Sequence, residues 1–219
     1  GAVQHGTLKA TDVPEPADAF ILAVPTPFRG DHEPDLSYIE SAARSVAAVL
    51  RGGELVILES TSPPDATRKM AQWILEERPD LSLDGADGRP VIHVAHCPER
   101  VLPGRVMIEL VTNDRVVGGL TPEAAQHAKE LYGIFCQGEV LLTDATTAEM
   151  VKLAENAYRD VNIAYANELS LIADRVDVDV WELIRLANHH PRVNILQPGP
   201  GVGGHCIAVD PWFLVDAAP

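Results

Sequence analysis

Positive charge is scarce: 17 Lys and Arg face 32 Asp and Glu in 219 residues, a formal net charge of −15. Such a field repels nucleic acid and anionic membranes, so an anionic ligand would need locally placed cations or backbone amides. Cysteine is equally sparse. Cys97, Cys136 and Cys206 are an odd number at irregular spacing. That fits neither a disulfide framework nor a paired-cysteine metal site, and points to a reducing, cytoplasmic compartment. No apolar run approaches the roughly 18 to 20 uncharged residues of a membrane span, and the first residues lack the basic-then-apolar order of a secretory leader. Neither His189-His190 nor His93-x-x-His96 has a third ligand at usable spacing, so no metal is expected. What remains, 46 % hydrophobic and 22 % charged, is ordinary globular composition with enough chain for one good core or two small ones. There is no internal repeat and no low-complexity tract.

From Ala19 onward, short apolar runs rich in β-branched residues alternate with amphipathic stretches, the pattern of a parallel α/β sheet. The predicted strands are 19–25, 54–60, 91–97, 115–119 and 139–144. Between them the spacing predicts helices from Asp35 to about Arg51, from Asp65 to about Arg78, and after Thr121-Pro122, a capping hydroxyl followed by Pro at the first helical position. After Asp144 the alternation stops. Thr146-Thr147-Ala148-Glu149 offers a capping box to one long helix, along which Val151, Ala154, Tyr158, Val161, Tyr165, Leu169, Ile172 and Val176 step by threes and fours. Over ~30 residues that stripe is ~45 Å long, a spine between domains, a dimer contact, or simply core packing. Asp179 caps a further helix stopped by Pro191, and 192–219 reads as a Gly/Pro-rich loop with an apolar tail. The expected division is therefore 1–144, part of a Rossmann-like nucleotide-binding domain, and 145–219, a helical central unit. No strand, Gly-rich turn and helix precede Ala19, so the chain is expected to be a fragment of such a sheet.

Chemistry concentrates in three places. In 197–210 (QPGPGVGGHCIAVD), Gly199, Gly201 and Gly204 match the letters of a dinucleotide fingerprint, but the segment follows a helix and Pro191 rather than a strand. Its glycines instead supply a backbone able to approach a ligand. It presents Cys206, with His205 beside it and Asp210 four residues on, as a candidate nucleophile; a buried structural cysteine is the plain alternative. On the long helix Lys152 and Asn156 share a face, with Arg159 one turn further; the row could grip phosphate or sugar hydroxyls, or be a solvated face. Finally, Glu99, Thr26 and Thr61 follow three strands at the carboxyl edge, where open α/β sheets place ligands, although each could be turn chemistry alone.

AVPTPF (23–28), LESTSPP (58–64), CPERVLPG (97–104), EMVKLAENAYRDVNIAYANELS (149–170) and GPGVGGHCIAVDPWF (199–213) together resemble the UDP-glucose/GDP-mannose dehydrogenase family. The resemblance covers nearly the whole chain from about Ala17. It implies two NAD-dependent oxidations of a sugar CH₂OH to a carboxylate without release of the aldehyde. On this basis Cys206 is the nucleophile, Glu99 the general acid/base, and Thr61 holds the hydrolytic water. Lys152 and Asn156 stabilise the C6 oxyanion and orient Asp210. Thr26, Pro27 and Thr61 line the cofactor; Arg100, Val101, Leu102, Arg159, Gly203 and Gly204 line the substrate. Arg192 is the candidate for an arginine lent to a partner subunit's nucleotide, and the long helix for the homodimer contact.

Two departures shift the expected substrate. Pro103 stands where UDP-glucose dehydrogenases carry a second Glu, and Val209 where they carry Lys. Both fit the branch acting on 2-acetamido sugars, so a UDP-N-acetylhexosamine is expected, with the mannosamine epimer ahead of the glucosamine one. The alternatives are an inactive folding and dimerisation unit, or an unrelated thiol enzyme built on Cys206 and His205.

Overall fold

The computed structural model describes residues 2–102, 104–204 and 206–218. The elements follow in order: β1 (Ala19–Leu22), β2 (Phe28–Arg29), β3 (Glu33–Pro34), α1 (Ser37–Ala47), β4 (Leu55–Leu58), α2 (Ala66–Glu77), β5 (His93–His96), α3 (Val106–Thr112), β6 (Arg115–Gly119), α4 (Pro122–Tyr132), β7 (Val140–Asp144), α5 (Ala145–Arg175), α6 (Val180–Ala187) and α7 (Asp210–Asp216). Each predicted strand is present, most of them trimmed by a few residues at their ends.

One five-stranded sheet in the order β1-β4-β5-β6-β7 carries the fold. Leu55 to Leu58 are all buried because β4 is covered on both faces. Val56 and Leu58 pack under α1 and α2 with Ile39, Met70 and Ile74, while Leu55 and Ile57 face Ala128 and Tyr132 of α4. The sheet is mostly parallel, as the alternation predicts, with one exception: β5 and β6 pair antiparallel, Ala95 opposite Gly119 and His96 opposite Gly118. The chain between them makes only the two-turn helix α3, too little to return along the sheet, so it re-enters from the edge where β5 ends.

The long helix is 31 residues, but its start and its packed face differ from expectation. Asp144, not a threonine, is the cap: its carboxylate accepts the Thr147 N–H at 2.9 Å. Glu149, free of any capping box, is buried elsewhere. The inward face runs through Ala145, Ala148, Leu153, Asn156, Ala166 and Ala173, whereas Tyr158, Val161, Tyr165, Ile172 and Val176 of the anticipated stripe are exposed. Core packing within the chain therefore does not account for that stripe. Gly118 admits the helix to the sheet, since a Cβ there would lie 2.2 Å from the Asp144 carbonyl oxygen and 2.7 Å from Ala148 Cβ.

Two further elements depart from the sequence reading. Residues 28–34 form a small hairpin, and the expected apolar tail contains α7. They hold each other: Phe28 meets buried Phe213 edge to face at 5.7 Å, and His32 stacks on Trp212 at 4.0 Å. This contact presses the start of α7, and so Asp210, against α5.

Candidate active site

Three distant segments wall a cleft of about 1070 Å³. The loop after β5 supplies Arg100, Val101 and Leu102; α5 supplies Lys152, Asn156 and Arg159; the glycine loop supplies Gly203, Gly204 and Cys206. Helical spacing puts Lys152, Asn156 and Arg159 on one flank of α5. The glycine loop is tied down at Gly199, whose N–H donates to Asn167 Oδ1 of α5 at 2.8 Å. Gly204 takes φ +82°, which suits glycine, and a Cβ there would meet no atom within 4 Å, so the backbone faces open cleft. The Cys206 thiol is free and exposed. His205, singled out beside it, lies outside the described residues, as does Pro103.

Asp210 stands behind this wall. It is 4 % exposed and accepts from Asn156 Nδ2 at 2.5 Å, while its own N–H and that of Val209 donate to the Cys206 carbonyl. The peptide carrying the thiol is thus linked through α7 to the helix carrying the ammonium. Burial raises the Asp210 pKa, opposed by the Asn156 bond and the Lys152 charge.

Other sequence-derived candidates lie apart from the cleft wall. Glu99 turns its carboxylate back onto its own loop, accepting the N–H groups of Arg100 and Val101 at 2.6 and 2.8 Å, with Arg115 at 3.9 Å. Arg115 is itself buried, 4.0 Å from Glu59 and with its guanidinium 4.7 Å over the Tyr132 ring; Tyr132 donates to Glu59 at 3.0 Å. Cys97 packs into this cluster, where burial pushes its thiol up to about 11, an inert core residue. Thr26 and Thr61 meet each other, Thr26 Oγ1 donating to the Thr61 carbonyl at 2.7 Å, one step beyond a Ser60 bridge that links β1 and β4. Pro27 is exposed next to Thr26. Arg192 is exposed after α6 and does not line the cleft.

Sequence reading missed Asn113, Asp114, Glu155, Tyr158 and Ile207, which also line the cleft. Glu155 matters most. It holds Arg100 in a two-pronged ion pair at 2.5 and 3.1 Å, so that guanidinium is already engaged rather than free for a phosphate. Only its place one residue before Asn156 hinted at this. Among the described residues no cluster of three His, Cys, Asp or Glu could hold a metal ion, and no helix is long and apolar enough to cross a membrane.

Comparison with known proteins places this geometry. A profile described as the UDP-glucose/GDP-mannose dehydrogenase family NAD binding domain matches residues 1–136, and that of the same family's central domain matches 146–219. UDP-N-acetyl-D-mannosamine dehydrogenase of Yersinia pestis is 64 % identical over 219 residues, covering all of this chain and 52 % of that protein. The NDP-N-acetyl-D-galactosaminuronic acid dehydrogenase of Ralstonia nicotianae shows the same identity and coverage. Among solved structures, the UDP-D-ManNAc dehydrogenase of Pyrococcus horikoshii superposes with a TM-score of 0.90 at 50 % identity, over 99 % of this chain and 51 % of that one. The chain spans about half the length of the curated relatives it matches. It belongs to the UDP-glucose/GDP-mannose dehydrogenase family.

Proposed function

We propose that this chain carries the catalytic thiol and the nicotinamide side of an NAD-dependent 6-dehydrogenase acting on a UDP-N-acetylhexosamine, with the mannosamine epimer as the leading substrate. The observation that carries the reading is the meeting of Cys206, Lys152 and Asn156 on one cleft, with Asp210 bonded behind them. The relatives named above act on 2-acetamido sugars, but two at equal identity differ in the sugar they are named for.

The division of labour follows from position. Residues 1–144 form the cofactor side and 145–219 the unit bearing the thiol. Strands β1, β4 and β5 are parallel and end at one edge, where Thr26, Pro27 and Thr61 follow and where the Ser62 hydroxyl, 1 % exposed, has no partner among the described residues. These groups fit a nicotinamide at the carboxyl ends of the strands. Bound NAD supplies a hydride acceptor for C6, once for each oxidation. Lys152 and Asn156 hold the C6 oxygen as its proton passes to solvent water and charge develops on it. Cys206 sulfur then bonds to the aldehyde carbon, its proton passing to the oxygen, and the thiohemiacetal keeps the aldehyde from escaping. Loss of a second hydride, and of the hydroxyl proton to solvent water, leaves a thioester. Water adds to the acyl carbon and the C–S bond breaks, giving the carboxylate and the free thiol. Glu99 is the base for that water, a role that asks its loop to turn the carboxylate toward the cleft on substrate binding. Arg159, exposed on the cleft rim, is placed for the nucleotide diphosphate.

We also read the open face of α5 as the contact with a second copy in a homodimer, and three free thiols as suiting a reducing cytoplasm. The test of substrate is NADH absorbance from the gene product that carries this chain, given NAD with UDP-N-acetylmannosamine, UDP-N-acetylglucosamine or UDP-glucose. The reading expects the mannosamine substrate to turn over fastest. Preference for UDP-glucose, or reaction without NAD, would overturn it.

A further inference from the structure

Glu149 is 1 % exposed, yet no step above uses it. Its carboxylate reaches out of α5 to the first turn of α2, where Oε2 accepts the Asp65 N–H at 2.7 Å and Oε1 accepts both the Thr67 N–H at 2.7 Å and the Thr67 hydroxyl at 2.6 Å. Helix α2 has no cap of its own: Asp65, at its N-terminal boundary, takes φ +69° and its side chain makes no capping bond. That side chain instead reaches back to α5, accepting from Thr146 Oγ1 at 3.1 Å. Orphan amide donors of one helix are therefore satisfied by the other, and the two are joined at two points.

The join sits between the two halves of the reaction machinery. Four residues before Asp65 is Thr61, at the end of β4 on the cofactor side. Three residues after Glu149 is Lys152, and seven after is Asn156, which holds Asp210. One helical turn is about 5.4 Å, so whatever fixes Glu149 fixes the Lys152 side chain one turn away with little slack. A carboxylate with three short bonds from a backbone turn and its hydroxyl is a rigid fixture of high directional strength.

We infer that Glu149 is a positioning residue: by capping α2 from α5 it sets the Lys152 ammonium and the Asn156–Asp210 pair in register with the nicotinamide-side strand ends. The inference rests on the dehydrogenase reading above. A misplacement of about 1 Å at a reacting centre costs on the order of 100-fold in rate, and this joint is where such a displacement would enter.

The test is a double-mutant cycle between Glu149→Gln and Lys152→Ala in the gene product that carries this chain. Glutamine keeps the size but replaces one acceptor by a donor that faces an N–H. The expected result is a kcat reduced about 10- to 100-fold by Glu149→Gln, with the KM of the UDP-sugar within about threefold, because the ground-state contacts lie elsewhere. In the Lys152→Ala background the same change should cost less than about twofold, since the group it positions is gone. Should Glu149→Gln fail to fold, Thr67→Val, which removes one donor at nearly constant volume, takes its place with a smaller loss and the same non-additivity. An unchanged kcat, or an equal loss in both backgrounds, overturns the inference. Hydrogen exchange supplies an arm independent of turnover: in Glu149→Gln the amides of 65–68 and of 150–157 should lose protection together. Loosening of the α2 turn alone would make Glu149 a cap and nothing more. Absence of NADH from the parent protein would refute the dehydrogenase reading, and the exchange result would still decide the inference.

Discussion

Among single residues, Lys152 and His96 show how position governs consequence. Lys152 lines the cleft and its charge bears on buried Asp210; in the function proposed above, its ammonium acts on charge that develops only as C6 is oxidised. Lys152→Ala is expected to lower kcat by two orders of magnitude or so while changing the sugar KM little, as for the loss of a preorganised oxyanion contact. Steady-state kinetics check it, and an equal loss in both constants would make Lys152 a phosphate ligand instead. His96 is fully buried at the end of β5 with neither ring nitrogen partnered among the described residues, and burial holds its pKa down to about 3. A histidine depressed in the folded state stays neutral there while the unfolded chain protonates below about pH 6.5, so stability falls with pH across the window from about 6.5 to 3, at up to about 1.4 kcal/mol per unit from this site. His96→Leu should flatten that acid limb in urea titrations at pH 7 and pH 5. A variant equally acid-sensitive would show that other groups dominate. Legibility differed between these two. Lys152 could be found from its spacing to Asn156, whereas the isolation of His96 depends on what α2 and α5 lay over the sheet.

At the scale of elements, the five strands of the main sheet read well because each is short, apolar and bounded, and β4, β5 and β6 are buried on both faces, which leaves no competing pattern. The helix ends read less well. Thr146-Thr147-Ala148-Glu149 has the letters of a capping box, but Asp144 lies one residue before the helix and Glu149 has better-placed donors in α2, so tertiary contact overrode the local motif. Helix α7 was hidden because Gly and Pro dominate its approach and its anchors, Phe28 and His32, come from nearly two hundred residues upstream. The antiparallel turn between β5 and β6 left no trace in composition at all. The contact between β6 and α5 gives an element-scale prediction. Gly118→Ala should destabilise by about 1–3 kcal/mol or more, because the atoms a Cβ would strike are the rigid backbone of Asp144 and the Cβ of Ala148. Chemical denaturation measures it, and a neutral outcome would mean that α5 is seated less closely than 2.2 Å implies.

For the molecule as a whole, the cleft was partly written in the sequence. Its glycine loop, its α5 row and the loop after β5 could each be named, but the two-pronged Arg100–Glu155 pair arises only when distant segments meet, and the retreat of Glu99 onto the amides of Arg100 and Val101 depends on a loop conformation that residue types do not specify. The same scale governs assembly. Tyr158, Val161, Tyr165 and Ile172 form a solvent-facing apolar row along α5, of the kind that marks an interface. Sedimentation should therefore find two copies, and Val161→Glu should shift the protein to the monomer with its circular dichroism unchanged; a monomeric parent would contradict the pairing. The central claim is that Cys206 carries a four-electron oxidation. Its most direct measure is the number of NADH formed per UDP-sugar consumed by the parent protein and by Cys206→Ser. Two NADH per sugar for the parent and no net uronic acid from the serine variant is the predicted result. Uronic acid made by Cys206→Ser at the parent rate would contradict it.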